Sequence, residues 1–480
     1  MGKASPVSRA GLLIGGEWQP GSGPTLDVTD KFTGEVIGAV QCASHEQVDA
    51  AVAAAAASFA RTALDPNQRY VLLQRTAALI ERHGEELASL ITAEGGLPIT
   101  DATAEVARAI QTCIVSAEEG KRLVGEVVPI DAAPGQAQRM AFTIRVPRGV
   151  VCGITAFNSP LNMACHKIAP ALASGNTVVV KPPENAPLTT TRLVELLVEA
   201  GFPPGHINLV HGPGSQLGPW LVENKDIAFY SFTGSTRAGA WLHEHVGLRP
   251  VLLELGSVSA TIVSEDADLD RAAARCAASG FRRAGQMCTS TQRLYVERSV
   301  EREFCDRLVR VAAALQVGDP HDPRTDVGPM ISEAEAARAE SWVREAVAAG
   351  ARLLHGGRRE RSLLYPTILG GVSTDMRVAS EEIFAPVIAV MPYTTLDDAI
   401  AEINASPFGL AVGIFSRDVT RVMNAARRLQ VGIVHVNESS SSRVDLLPFA
   451  GVKQSGLGRE GPKYAMQEMT QERLVTFNLA

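Results

Sequence analysis

Three short motifs in this 480-residue chain carry groups that could act together on a carbonyl: Asn158 in Thr155-Ala156-Phe157-Asn158, Glu254 in Leu253-Glu254-Leu255-Gly256, and Cys288 in Gly285-Gln286-Met287-Cys288-Thr289. A thiolate adds to carbon, an amide N–H holds the resulting oxyanion, and a carboxylate draws a proton from water. Such a thiol needs a polarised setting that favours thiolate. Asn158 as an oxyanion donor would be worth ~3 kcal/mol. Glu254 in a partly apolar cleft would have its pKa raised toward that of a general base. Each residue also has a plainer reading. Free cysteine is usually a small buried hydrophobe, and glutamate at a strand end usually reaches solvent. Asparagine before Ser159-Pro160 usually shapes a turn or caps a helix.

A second set of motifs suits a dinucleotide. Lys181-Pro182-Pro183-Glu184 follows the apolar run 178–180, so both charges project from the carboxyl end of a strand, where parallel sheets bind nucleotides. Lysine can donate to ribose hydroxyls. Glutamate can accept from the 2′-OH and repel a 2′-phosphate, which favours NAD over NADP; the alternative is a surface ion pair. Phe232-Thr233-Gly234-Ser235-Thr236-Arg237 joins a strand to a helix, placing Ser235 and backbone N–H groups where pyrophosphate could bind, or where a helix is simply capped. A GxGxxG at Gly456, Gly458 and Gly461 has no strand leading into it and is set aside. Gly212-Pro213-Gly214 lacks that fingerprint's onward spacing.

These groups need a scaffold, and the pattern supplies one. Between 148 and 263, short β-branched runs at 150–152, 178–180, 207–210, 228–232 and 251–255 alternate with helical stretches at 188–200, ended by Gly201, and 237–246. Continuous apolar strands separated by helices predict a parallel sheet covered on both faces. A second alternation places strands at 260–263, 293–296, 387–393, 411–415 and 432–436. Two α/β layers imply a cleft between them. Ser44-His45-Glu46-Gln47 is a capping box opening an alanine-rich helix, and Ser332 opens another that Gly350 closes. Residues 125–147 read as extended excursions and 473–477 as a lone terminal strand needing an edge to pair with, which a neighbouring subunit could offer.

The 46% apolar and 20% charged content is that of a globular protein large enough for two or three domains. A net charge of −7 disfavours nucleic-acid and anionic-membrane partners. The seven scattered cysteines show no metal-ligand spacing and suit a reducing compartment. The opening Met1-Gly2-Lys3-Ala4-Ser5-Pro6 has no apolar signal stretch, and Pro6 stands where a myristoylation signal has Ser or Thr, so the cytoplasm is expected.

Taken together, from Ile14-Gly15-Gly16-Glu17-Trp18 to the last strand, the motifs resemble the aldehyde dehydrogenase superfamily, with likeness to its lactaldehyde and semialdehyde branches. The resemblance implies an α/β fold: a discontinuous Rossmann-like cofactor domain (1–124 and 148–256), an α/β catalytic domain (257–454), and a small β extension for oligomerisation (125–147 and 455–480). It also implies Cys288 as nucleophile, Glu254 as the base activating water, Asn158 as oxyanion donor, and Lys167 with Glu460 as a proton relay. Expected NAD contacts are Ile154, Ala156, Phe157, Lys181, Glu184, Gly214, Ser235, Glu382 and Phe384. A homodimer or homotetramer is implied. Because Glu254 is kept, water is the expected acyl acceptor. The sequence departs from the family at Ser257, Val258, Ala385 and Ala450, which add bulk where backbone approaches closely.

At positions matching the family's aldehyde tunnel stand Ser159, His166, Arg282 and Arg443, with Phe449 beyond. Arg282 matches an arginine that succinate-semialdehyde dehydrogenases use for a carboxylate. Buried arginine without an anion is costly, so a short polar or anionic aldehyde is expected; the alternative is that Arg282 pairs with a neighbouring acid. Rival readings are acyl transfer to coenzyme A, oxidation of an aromatic aldehyde, and a binding protein that keeps the fold without catalysis.

Overall fold

The computed structural model describes residues 7–479; residues 1–6, on which the reading of the N-terminus rested, lie outside them. The apolar runs between 150 and 255 form five parallel strands in the spatial order Val251–Glu254, Ile227–Thr233, Val150–Ile154, Thr177–Lys181, Ile207–Leu209. The first of these in the chain, Val150–Ile154, lies in the middle. From it the chain winds outward through two strands, then returns to build the other side. Gly456–Leu457 and the hairpin Leu12–Ile14/Glu17–Gln19 extend the two edges in antiparallel sense. Thr177–Lys181 is buried at every position, as a sheet covered on both faces requires. The register pairs Ile154 with Lys181 and with Phe232, and Thr233 with Glu254. Those four strand ends therefore meet at one carboxyl edge, where strand order reverses and a crevice opens.

Local sequence codes several helix ends. Ser44 and Gln47 close a reciprocal capping box on His45–Arg61 and Gly201 ends Leu188–Ala200 at φ +102°, both against this sheet, while Ser332 caps Glu333–Ala348 beside a second sheet. Two other N-termini are closed from far away. Glu94 accepts the N–H groups of Leu188 and Thr189, each at 2.7 Å, and burial pushes its carboxyl up to about 7. Glu105 accepts those of Leu161 and Asn162, at 3.0 and 3.3 Å, at the start of the almost wholly buried helix Pro160–Ala173.

A second sheet of seven strands runs Arg352–His355, Thr367–Gly370, Val387–Tyr393, Arg293–Glu297, Ala260–Val263, Ala411–Phe415, Ile433–Val436, parallel except at its first edge. The terminal segment is not a lone strand: Thr470–Asn478 pairs residue for residue with Arg139–Pro147 of its own chain, and Val127–Val128 completes the three-stranded sheet. Local pattern showed a strand but not its partner, which lies more than 300 residues earlier. No helix among the described residues is long and apolar enough to cross a membrane.

Candidate active site

One cleft of about 910 Å³ takes its walls from both large sheets. Ile154, Ala156, Phe157, Lys181, Glu184, Gly214 and Ser235 line it from the first sheet, Glu382 and Phe384 from the second, and Asn158, Glu254 and Cys288 open onto it too. Lys181 is buried rather than paired at the surface: its Nζ donates to the Pro182 carbonyl at 2.9 Å, and burial draws its pKa down to about 8 against the pull of Glu184. The Glu184 carboxylate accepts the N–H of Gly214 at 3.0 Å, at the start of helix Gly214–Glu223. Ser235 caps Thr236–His245, accepting from the Ala238 N–H at 3.3 Å, so the cap reading holds there beside the cleft position. Glu382 accepts the Ser257 N–H at 2.9 Å; burial pushes its carboxyl up to about 7, opposed by that bond and by Arg338. At Gly256 a Cβ would come 2.5 Å from a Glu382 oxygen, so a larger residue would displace that carboxylate. A long cleft with buried cation, carboxylates and two helix N-termini fits a dinucleotide.

Neither the core reading of Cys288 nor the solvated reading of Glu254 survives. Cys288 is partly exposed, packed beside Leu410, Ala411 and Phe449. Glu254 is 3% exposed, and among the described residues neither carboxylate oxygen has a hydrogen-bond partner. Burial, then the charge of Glu460, push its pKa well above the ordinary carboxylate range, with Lys167 and Arg443 offsetting part of the shift. That is the direction a general base needs. The Asn158 amide donates to the Gln286 carbonyl at 2.8 Å, tying it to the nucleophile's loop. The thiol is not pre-ionised by the chain itself: burial first, then Glu254 and Glu382, push it up to about 12 against the pull of Arg443. Below that pKa the thiolate fraction rises with pH. Without coenzyme, alkylation of Cys288 by iodoacetamide, followed at that residue by mass spectrometry, should therefore climb about tenfold per pH unit from pH 7 to 10. A plateau near pH 7 would contradict the enclosure described here.

The profile of the aldehyde dehydrogenase family matches residues 18–475. The chain belongs to that family. A 3-sulfolactaldehyde dehydrogenase of Priestia megaterium is 44% identical over 100% of both chains. Among solved structures, an NAD-dependent aldehyde dehydrogenase from Sinorhizobium meliloti superposes with TM-score 0.94 at 36% identity, covering 98% of this chain and 95% of that one. An NADP-dependent glyceraldehyde-3-phosphate dehydrogenase from Bacillus halodurans complexed with NADP reaches TM-score 0.96 at 37% identity, covering 98% and 100%.

In this aldehyde dehydrogenase the positions expected to relay protons form a buried pair: Lys167 Nζ donates to Glu460 Oε1 at 2.6 Å. Despite burial, Lys167 and Arg443 hold the Glu460 carboxyl well below the usual range. Arg443 donates to the other Glu460 oxygen and lies over the Phe449 ring, 4.1 Å from its centroid. His166 Nε2 lies 2.9 Å from Asp445 Oδ1, and burial lowers its pKa against the pull of Glu460 and Asp445. Asp445 also receives Arg108 at 2.7 Å. Arg282 has an acid neighbour, with Nε 3.3 Å from Asp101, yet its side chain remains 44% exposed. Ser159 precedes Pro160–Ala173 without a side-chain cap bond.

Sequence reasoning missed Asp101, Glu105 and Arg108, which share one face of helix Ile99–Gly120 at i, i+4, i+7. That spacing was the available signal, though charges on a helix face are usually solvated. It also missed the cleft-lining Met163, Trp241 and Arg338. The hydroxyl added at Ser257 has a partner: it lies 3.1 Å from Ser259 Oγ, which in turn donates to the Cys288 carbonyl at 3.1 Å.

Proposed function

We propose that this enzyme oxidises a short anionic aldehyde to its carboxylic acid with NAD, through a covalent bond to Cys288. The observation that carries the substrate class is a guanidinium left open at a position expected to line the aldehyde tunnel: Arg282 lies 3.3 Å from Asp101, yet 44% of its side chain stays exposed. Arg443, paired with Glu460, adds a second cation that pulls on the Cys288 thiol. Guanidinium groups give planar, paired donors suited to a carboxylate or sulfonate. A three-carbon aldehyde bearing a sulfonate, as named for the Priestia relative, fits that requirement. The lack of aromatic residues at Ser159, His166, Arg282 and Arg443 argues against an aromatic aldehyde.

The Cys288 thiolate adds to the aldehyde carbon, and the Asn158 amide, through the N–H not given to Gln286, donates to the oxyanion together with the Cys288 N–H. Lys181, Glu184, Ser235 and Glu382 would hold the coenzyme, and Glu184 supports NAD because it would repel a 2′-phosphate. Bound there, the coenzyme supplies a hydride acceptor. Glu254 then takes a proton from water, which attacks the Cys288 thioester and releases the acid, while Lys167 and Glu460 pass the proton onward. Residues 1–124 and 148–256 serve the coenzyme and 257–454 the chemistry. Residues 125–147 and 455–480 would bridge subunits: the sheet of Val127–Val128, Arg139–Pro147 and Thr470–Asn478 exposes Val127, Leu474 and Phe477, which favours assembly into a homodimer or homotetramer.

Initial rates with NAD and with NADP, across a sulfonated three-carbon aldehyde, lactaldehyde, glycolaldehyde, succinate semialdehyde and benzaldehyde, test this reading. The expected result is the highest kcat/KM for the sulfonated aldehyde with NAD. Arg282→Met should lower kcat/KM for anionic aldehydes by about 10- to 100-fold, or ~1.5–3 kcal/mol, and spare glycolaldehyde. Preference for benzaldehyde with a silent Arg282 change would overturn the substrate assignment.

A further inference from the structure

Arg283 stands five residues before the nucleophile at φ +53°, and with Ala284 at +52° and Gly285 at +68° it makes three successive left-handed residues. Such backbone persists in non-glycine residues only where the surroundings over-determine it. Here the surroundings are the Arg283 side chain itself, 4% exposed. Its Nη1 donates to the carbonyl of Asn158 at 2.7 Å, and its Nη2 lies 3.1 Å from Glu105 Oε2. In return, the Asn158 amide donates to the Gln286 carbonyl at 2.8 Å, and the Gln286 N–H donates to the Arg283 carbonyl at 3.1 Å. The two loops that meet at the nucleophile are thus closed into a ring of hydrogen bonds. Glu105 grips the far side as well, because its other oxygen receives the N–H groups of Leu161 and Asn162. Asn158 is therefore fixed at its own carbonyl by Arg283 and through the following helix by Glu105.

We propose that the Arg283–Glu105 pair is a positioning device: it sets the aim of the Asn158 amide relative to Cys288, and so the strength of oxyanion stabilisation, without touching substrate or coenzyme. This rests on Asn158 being the oxyanion donor. Arg283 is not itself the anion ligand, since it is enclosed and its charge is met by Glu105, whereas its neighbour Arg282 is the exposed one. Oxyanion donors act only within narrow limits of distance and direction, so a small displacement of Asn158 has a large kinetic effect.

The test uses p-nitrophenyl acetate without nucleotide. The Cys288 thiolate adds to the ester carbonyl, the oxyanion collapses, and p-nitrophenolate departs with the electrons of the broken C–O bond, leaving an acetyl thioester. The same oxyanion forms, and no hydride moves. Arg283→Met and Asn158→Ala should each slow acylation on the order of 10- to 100-fold. The double variant should be no slower than Asn158→Ala alone, because the first change acts only through the second residue. Arg283→Lys, which keeps the charge and loses the fork, should fall between parent and Arg283→Met. Multiplicative losses in the double variant would overturn the positioning role. A silent Asn158→Ala would instead overturn the oxyanion reading of Asn158. Melting curves and a coenzyme titration accompany each variant, with coenzyme affinity expected unchanged. Should Arg283→Met not fold, Glu105→Gln, which retains an acceptor for the helix N–H groups, carries the same cycle with the same two outcomes.

Discussion

Cys288→Ala should remove aldehyde oxidation, by about 10⁴- to 10⁶-fold in kcat, because every later step requires the covalent bond. The protein should stay folded: Cys288 is only partly buried, beside Leu410, Ala411 and Phe449, and removing a single sulfur atom leaves little cavity. Coenzyme affinity should also persist, because the proposed contacts at Lys181, Glu184 and Glu382 are independent of the sulfur. Quenching of Trp241, which lines the cleft, reports that binding. A variant that binds coenzyme and turns over near the parent rate would refute nucleophilic catalysis at this residue.

Glu254→Gln should separate the two halves of the reaction. Oxidation to the thioester needs no proton from water, so reduced coenzyme should appear in one burst equal to the number of sites, after which turnover falls by about 10²- to 10⁴-fold. Hydroxylamine, a nucleophile that needs no base, should restore turnover. In the parent, hydrolysis requires Glu254 ionised. Since burial and Glu460 raise its pKa, the rate should fall as pH drops through that raised value. If burst and steady state decline together, Glu254 instead takes the thiol proton, a role its leading electrostatic influence on Cys288 after burial would permit.

Short-range signals carried most of the fold. The apolar runs became parallel strands because both their faces are covered, and the capping box at Ser44 and the glycine at 201 ended helices where their conformational preferences required. Lys181 and Glu254 were legible because a parallel sheet gathers its strand ends at one edge. Pairings between distant charges were not, apart from Lys167 with Glu460, which the family resemblance rather than any local pattern implied. Arg108 and Asp445 are 337 residues apart, and Arg283 and Asn158 are 125 apart; nothing local distinguishes such groups from solvated ones. The thiol's elevated pKa was equally invisible, since it arises from enclosure by two sheets rather than from neighbours in the chain.

Lys167 and Glu460, fully enclosed against each other, are separated by 293 residues. During synthesis at roughly 5–20 residues per second, the lysine emerges about 15 to 60 s before its counter-ion exists. Over that interval the helix bearing it cannot seal against the first sheet without stranding a bare ammonium in a dry interior. Burial of that helix face is thereby coupled to arrival of the segment around Glu460, so the carboxylate that serves the site also completes the packing of a helix made long before it.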